Sequence, residues 1–189
     1  MQIPPIKINY PVWLETSLDW NARYSSDEEK IGLAIELSRQ NVEEQTGGPF
    51  GAAVFSRRDG RLLSVGVNLV VPNCNSVLHG EIVALMMAQA RLRHFSLRIQ
   101  GQDEYELATS CEPCAMCLGA VLWSGVTRLI CGAHRDDAER VHFDEGPVFP
   151  ESYQYLEKKG IEVVREVCRT EAAAVLNLYQ ARNGTVYNG

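Results

Sequence analysis

The residues best suited to chemistry are two cysteines three apart, Cys114 and Cys117, directly after Pro113, and upstream of them His79 and Glu81. Proline is tolerated at the first position of a helix, where its missing N–H would have no partner, so Pro113 predicts a helix start with both sulfurs on one face of the first turn. A helix N-terminus carries positive partial charge and lowers a thiol's pKa, which favours a pair of thiolates there. His79 opens the apolar run Ile82 to Ala88, read as a buried helix, so an imidazole arrives from a second helix start. Two thiolates and one imidazole give zinc three protein ligands. The open fourth corner is the pattern of catalytic zinc sites, where the metal makes water acidic near neutral pH. Glu81 stands in the same first turn as His79, placed to exchange protons with that water without binding the metal.

Cys111 is a rival ligand, since Cys111, Cys114 and Cys117 are spaced by three, but it precedes Pro113 at the end of a predicted strand, where its side chain need not face the helix. Cys74, Cys131 and Cys168 read as packing residues, and His134 and His142 as surface residues. Asp144 and Glu145 lie in a loop, and Phe50, Trp123 and Phe143 taken alone suit a core as well as a pocket.

The elements that must position these residues follow from local pattern. Residues 1–26, with Pro4, Pro5, Pro11, Trp13 and Trp20, show no clear period and read as an arm that packs on the body or on a second subunit. Ser26 followed by Glu29 is a capping box, and Ile31, Ala34, Ile35 and Val42 continue it at helical spacing, so a first helix is expected over 27–45. Strands are expected over 50–57 and 61–68, joined by the turn signal Asp59-Gly60. A buried helix follows over 79–92, with Arg91, Arg93, His94 and Arg98 as its solvated basic end. Then come a strand over 105–110, the helix 114–124, a strand over 127–132, a helix over 151–159, a strand over 161–167 and a last helix over 170–183. That alternation predicts a layered α/β domain over 27–189, opening with a hairpin and continuing by crossovers.

The chain has 189 residues, enough for one domain with a sizeable core, and 46% of them are apolar. Its net charge of −6 has the wrong sign for a broad grip on nucleic acid and favours a small neutral substrate. No apolar run is long enough to span a membrane, and residues 1–7 lack the features of a signal peptide, so a cytoplasmic protein is expected, its six cysteines serving as metal ligands and buried thiols rather than disulfides.

Taken together, His79-Gly80-Glu81 and Pro113-Cys114-Ala115-Met116-Cys117 form the H-x-E and P-C-x-x-C pattern of zinc deaminases. From about Asp27 onward the chain resembles the cytidine deaminase-like superfamily, also through Gly47-Gly48-Pro49-Phe50-Gly51-Ala52, Val67-Asn68 and Trp123. Thr109 to Cys114, Trp123, Asp136-Asp137-Ala138 and Phe143-Asp144-Glu145 make it similar to the bacterial guanine deaminase branch. The resemblance implies a three-layer α/β/α fold around a mixed five-stranded sheet, with both metal-bearing helices on one face. It implies His79, Cys114 and Cys117 as Zn2+ ligands, Glu81 as proton shuttle and Glu145 as a second catalytic carboxylate. Asn68 would hold the purine edge, Gly80 would offer a backbone donor, and Phe50, Trp123 and Phe143 would line the pocket. Tyr187 would close it, in a homodimer with exchanged C-terminal segments. The implied reaction is hydrolysis of guanine to xanthine and ammonia. A tRNA adenosine deaminase, a deaminase of cytosine or an amino-triazine, and a non-catalytic zinc-stabilised module remain alternatives. Gly80 stands where the family has alanine, which would enlarge the pocket floor, and Glu145 stands where it has aspartate.

Overall fold

The computed structural model describes residues 3–101 and 103–188. A single turn of helix, α1 (Trp13–Thr16), precedes α2 (Asp27–Glu43), and then follow β1 (Gly51–Ser56), β2 (Leu62–Val67), α3 (Gly80–Leu92), β3 (Tyr105–Cys111), α4 (Ala115–Ser124), β4 (Arg128–Ala133), α5 (Arg135–Arg140), α6 (Pro150–Lys158), β5 (Glu162–Val164) and α7 (Arg169–Ala181). The sheet order is β2-β1-β3-β4-β5. β1 runs antiparallel to β2 and β3, whereas β3, β4 and β5 are parallel. This is the mixed five-stranded sheet expected.

Both faces are covered. Along β1, Ala53 and Phe55 pack into one apolar layer and Ala52 and Val54 into the other, as the period of two requires. The first layer holds Ile31 and Ile35 of α2 with Ala172, Val175 and Leu176 of α7. The second holds Ala84, Leu85 and Ala88 of α3, Leu118 and Val121 of α4, and Tyr153 and Leu156 of α6. Helices on both faces explain why β1 and β3 are buried at every residue rather than alternately.

Local chemistry sets the element ends. Ser26 Oγ accepts from Glu29 N at 3.2 Å and Ser26 N donates to Glu29 Oε2 at 3.2 Å, so the expected capping box starts α2. Gly60 turns the hairpin at φ +67°. On β2, a Cβ at Gly66 would fall 2.1 Å from Gly80 O and 2.4 Å from Ala84 N, so the bare glycine is what lets the start of α3 lie on the sheet. The arm does pack on the body: Trp13 Nε1 donates to Thr46 Oγ1 at 3.0 Å, Asn9 N to Asn73 Oδ1 at 2.8 Å, and Trp20 lies 3.9 Å beneath the Arg91 guanidinium.

Two expectations change. Arg91 is not a merely solvated helix end, because it also donates to Leu63 O at 2.8 Å and so ties the arm to β2. α5 was not anticipated; His134 caps it, its Nδ1 accepting from Asp136 N at 3.2 Å while Asp137 Oδ2 accepts from His134 N at 3.0 Å.

Candidate active site

β1 begins and β2 and β3 end at one edge of the sheet, and α3 and α4 both start there. His79 is the N-cap of α3 and Cys114 the N-cap of α4, both with extended backbone. Pro113 therefore sits just outside the helix, not at its first position. The extended cap turns Cys114 toward His79, and Cys117 follows one turn on.

One donor atom from each of His79, Cys114 and Cys117 lies within 4.8 Å of the others, and Cys114 Sγ is 3.5 Å from His79 Nδ1. A tetrahedral zinc with bonds of about 2.0–2.3 Å holds its ligand atoms about 3.5–3.8 Å apart, so the triad fits with little adjustment. Electrostatics agree. The neighbouring Cys117 thiol, helped by the His79 imidazole, brings Cys114 down to about 4. Interaction with Cys114, reinforced by burial, drives Cys117 well above the usual thiol value. Burial and the negative Cys114 lift Glu81 to about 7, and burial with Cys114 and Glu81 lifts Glu145 to about 8. For His79, burial pulls down, but Cys114, Glu81 and Glu145 outweigh it and leave the imidazole above its ordinary value. Acidic groups crowd a space of low dielectric, and a divalent cation is the partner that relieves them.

Cys111 is not in this triad. Its thiol is buried, pushed well above its ordinary value by desolvation, and turned toward His134 O at 3.9 Å. In the loop after α5, Glu145 is the buried carboxylate at 6% exposure. Asp144 is exposed and accepts from Gly146 N at 2.8 Å to make the turn. Glu145 O accepts from Ala115 N at 3.0 Å, which ties this loop to the start of α4.

Around the triad stand Phe50 and Phe143, edge to face at 4.9 Å between centroids, and Tyr187, whose ring is 5.1 Å from Phe143 and 6.3 Å from His79. Tyr187 thus lies against the site of its own chain. Asn68 is fully buried; its Oδ1 accepts from Val70 N at 3.2 Å, while its Nδ2, like Tyr187 Oη, is buried with no hydrogen-bond partner. Two expected members behave differently. Trp123 is 80% exposed and does not line the site, because Val121 and Ser124 take the inward face of α4 and Trp123 falls on the opposite one. A Cβ at Gly80 would come 3.2 Å from Phe50 O, so the missing methyl faces the backbone of Phe50.

One supporting residue was missed. Asn41 Nδ2 donates to Gly48 O at 2.8 Å and to Asn68 O at 2.9 Å, which sets both loops. Its signal was a polar side chain on the buried stripe of α2.

Residues 24–133, which contain the triad and Glu81, match the family model of the cytidine and deoxycytidylate deaminase zinc-binding region. The chain belongs to the cytidine and deoxycytidylate deaminase family. Guanine deaminase from Nitrosomonas europaea superposes with a TM-score of 0.90 at 41% identity, covering 96% of this chain and 99% of that one. A complex of the Nitrosomonas protein with 2,6-diaminopurine gives 0.90 at 43% identity over 96% of both chains. Guanine deaminase of Bacillus subtilis (strain 168) is 33% identical over 128 residues, 68% of this chain and 78% of its own length. In this deaminase, zinc is the metal for which His79, Cys114 and Cys117 are positioned.

Proposed function

We propose that the chain hydrolyses guanine to xanthine and ammonia. The observation that carries a hydrolytic site is the placement of two buried carboxyls, Glu81 and Glu145, beside the donor triad of His79, Cys114 and Cys117, where each can exchange protons with a bound water and substrate. The likeness to two bacterial guanine deaminases supports guanine as substrate. Zinc, when bound, supplies the charge that makes water nucleophilic. Glu81 removes a proton from the attacking water and delivers it to the ring nitrogen beside the amino-bearing carbon. Glu145 faces the amino group and carries the proton with which ammonia leaves. Asn68 Nδ2, desolvated and facing the Tyr187 hydroxyl without a well-formed hydrogen bond, is a donor available to an acceptor on the purine edge. The Gly80 N–H is a second donor at the start of α3. Phe50 and Phe143, packed edge to face, give the ring an apolar wall, and Tyr187 excludes bulk water from above.

The same reading places the protein in the cytoplasm as a homodimer. All six cysteines are unpaired thiols, which suits a reducing compartment. Met86 of α3, Met116 and Trp123 of α4, and Phe95 in the loop after α3, leave apolar side chains exposed on and beside the helices that carry the triad.

The test is ammonia release from guanine, adenosine, cytosine, an amino-triazine and an anticodon stem-loop, run beside zinc stoichiometry. Guanine should turn over with one zinc per chain. Zinc-loaded protein that releases no ammonia from guanine overturns the proposal, and turnover of the stem-loop instead moves it to tRNA.

A further inference from the structure

Asn68 is held at every polar atom but one. Its N–H donates to Phe50 O at 2.9 Å, its Oδ1 accepts from Val70 N at 3.2 Å, and its carbonyl accepts from Asn41 Nδ2 at 2.9 Å. That leaves Nδ2, beside the Tyr187 hydroxyl, as the group without a well-formed hydrogen bond. Asn41 is fully buried, and its amide can sit only one way round. Nδ2 gives its second hydrogen to Gly48 O at 2.8 Å, so turning the group over would set Oδ1 against two carbonyls. Asn41 Oδ1 in turn accepts from Thr46 Oγ1 at 2.7 Å. The Thr46 hydroxyl has a single hydrogen, and Trp13 Nε1 donates to the same oxygen at 3.0 Å, which turns that hydrogen toward Asn41. All the donors therefore point one way, from Trp13 through Thr46 and Asn41 to Asn68. A Cβ at Gly47 would fall 1.9 Å from Asn68 O and 2.6 Å from Asn41 Nδ2, so the last link is made across a bare glycine. At the other end α1 delivers Trp13, anchored by Leu14 at 2% exposure in the first apolar layer.

We propose that the N-terminal arm is a positioning element of the site: Trp13, acting through Thr46 and Asn41, sets the angle at which Asn68 presents Nδ2 to the substrate. Hydrogen bonds linked in this way polarise one another, so loss of the indole N–H weakens each later link. The Thr46 hydroxyl, only half-buried, then turns to water and leaves Asn41 Oδ1 without its donor. The Asn41 amide plane is held by two carbonyls alone, and the Asn68 peptide, which one of those carbonyls belongs to, shifts with it. A hydrogen bond weakens steeply as its angle closes, so a small tilt of that peptide is felt at the Asn68 amide. Asn68 grips the ring before and during reaction, so the loss falls on KM and spares kcat.

The proposal rests on reading Asn68 as a donor to a nucleobase, so the first of its two measurements needs no substrate. In proton–nitrogen correlation spectra of the zinc-loaded full chain, the Asn68 side-chain amide is assigned by its absence from Asn68→Ala. Thr46→Val removes the middle hydroxyl at nearly constant volume, and Trp13→Phe keeps a ring without the N–H. Each should move the Asn68 side-chain amide by more than its linewidth. Thr46→Ser, which keeps the hydroxyl, should match wild type in both measurements. With guanine, Thr46→Val should raise KM about three- to tenfold, as for one lost hydrogen bond, with kcat within about twofold. In an Asn68→Ala background the same substitution should change KM by less than about twofold, because the donor it aims is gone. A general loosening of the fold would instead multiply through. An Asn68 amide that stays in place in Thr46→Val or Trp13→Phe overturns the relay. So do a KM unchanged in Thr46→Val and a KM increase that persists in full without the Asn68 side chain. Wild type that deaminates no nucleobase sinks the reading of the site, and the Asn68 amide signal then judges the relay alone.

Discussion

Arg128 is the residue whose loss should cost the fold most while sparing the chemistry. It lies at the start of β4, where Nη1 and Nη2 bind Asp27 at 2.7 Å each, Nη1 also reaches Glu106 at 3.0 Å and Nε reaches Glu162 at 2.9 Å. Glu106 is held on its other oxygen by Lys30 at 2.7 Å and is only 2% exposed. Glu162 is half exposed and contributes little. The weight falls on Glu106, which in Arg128→Met remains as a buried carboxylate with one partner. Breaking a buried pair in this way costs about 3–5 kcal/mol. In a domain of this size that is a fall of roughly 6–20 °C in melting temperature. Melting of zinc-loaded protein at pH 7 measures it. Hydrogen bonding to Arg128 holds Asp27 and Glu162 below their ordinary values. Folded pKa values that are depressed give stability that is present above the unfolded values of 3.8 and 4.5 and is lost as pH falls through the folded ones. The part of the gap between wild type and Arg128→Met that Asp27 and Glu162 contribute should hold above about pH 5 and be lost on acidification, so the gap narrows. Turnover per bound zinc should be unchanged, since Glu106 and Arg128 stand at the end of β3 and β4 away from Cys111. A melting temperature within 2 °C of wild type, in absolute change about the spread of a surface substitution, refutes the reasoning, as does a gap that does not narrow in acid.

Three further outcomes follow from the site. Glu81→Gln keeps the volume and loses the proton carrier, so kcat should fall about a hundred- to ten-thousandfold with zinc retained, and a variant keeping most of its activity removes Glu81 from the mechanism. Cys111→Ala should still bind one zinc per chain by metal analysis; loss of the metal would make Cys111 a ligand and revive a closed, structural site. Trp123→Ser should leave KM within about twofold while shifting sedimentation toward monomer, and a large KM effect in protein of unchanged assembly would return Trp123 to the pocket.

What was legible in the sequence is what short range dictates. The capping box of α2, the Asp59-Gly60 turn and the pairing of Cys114 with Cys117 are decided within a few residues, and the structure has each of them. α5 escaped because an imidazole, not one of the usual hydroxyl or carboxylate caps, starts it, so His134 looked like a surface residue. Trp123 was placed in the pocket by resemblance, yet helical phase alone argues the other way. Six residues past Cys117 is about two-thirds of a turn away from it, whereas Val121 and Ser124, four and seven past, return to its face.

The site's roof was legible only in part: resemblance nominated Tyr187, but nothing along the chain gave its contacts. Tyr187 meets Gly48, and Asn188 meets His142 and Asp144, across separations that no local pattern spans. Only the tertiary fold brings them together: the segment after α7 lies over the edge where α3 and α4 begin. The chemistry needs residues of fixed type at fixed spacing, so it leaves a signature along the chain. The cover needs only an aromatic ring and an amide at the right height, so beyond the nomination of Tyr187 by resemblance it leaves little. Access to a site of this kind is therefore a property of the fold, and it is the roof, not the triad, whose residues must be sought in three dimensions.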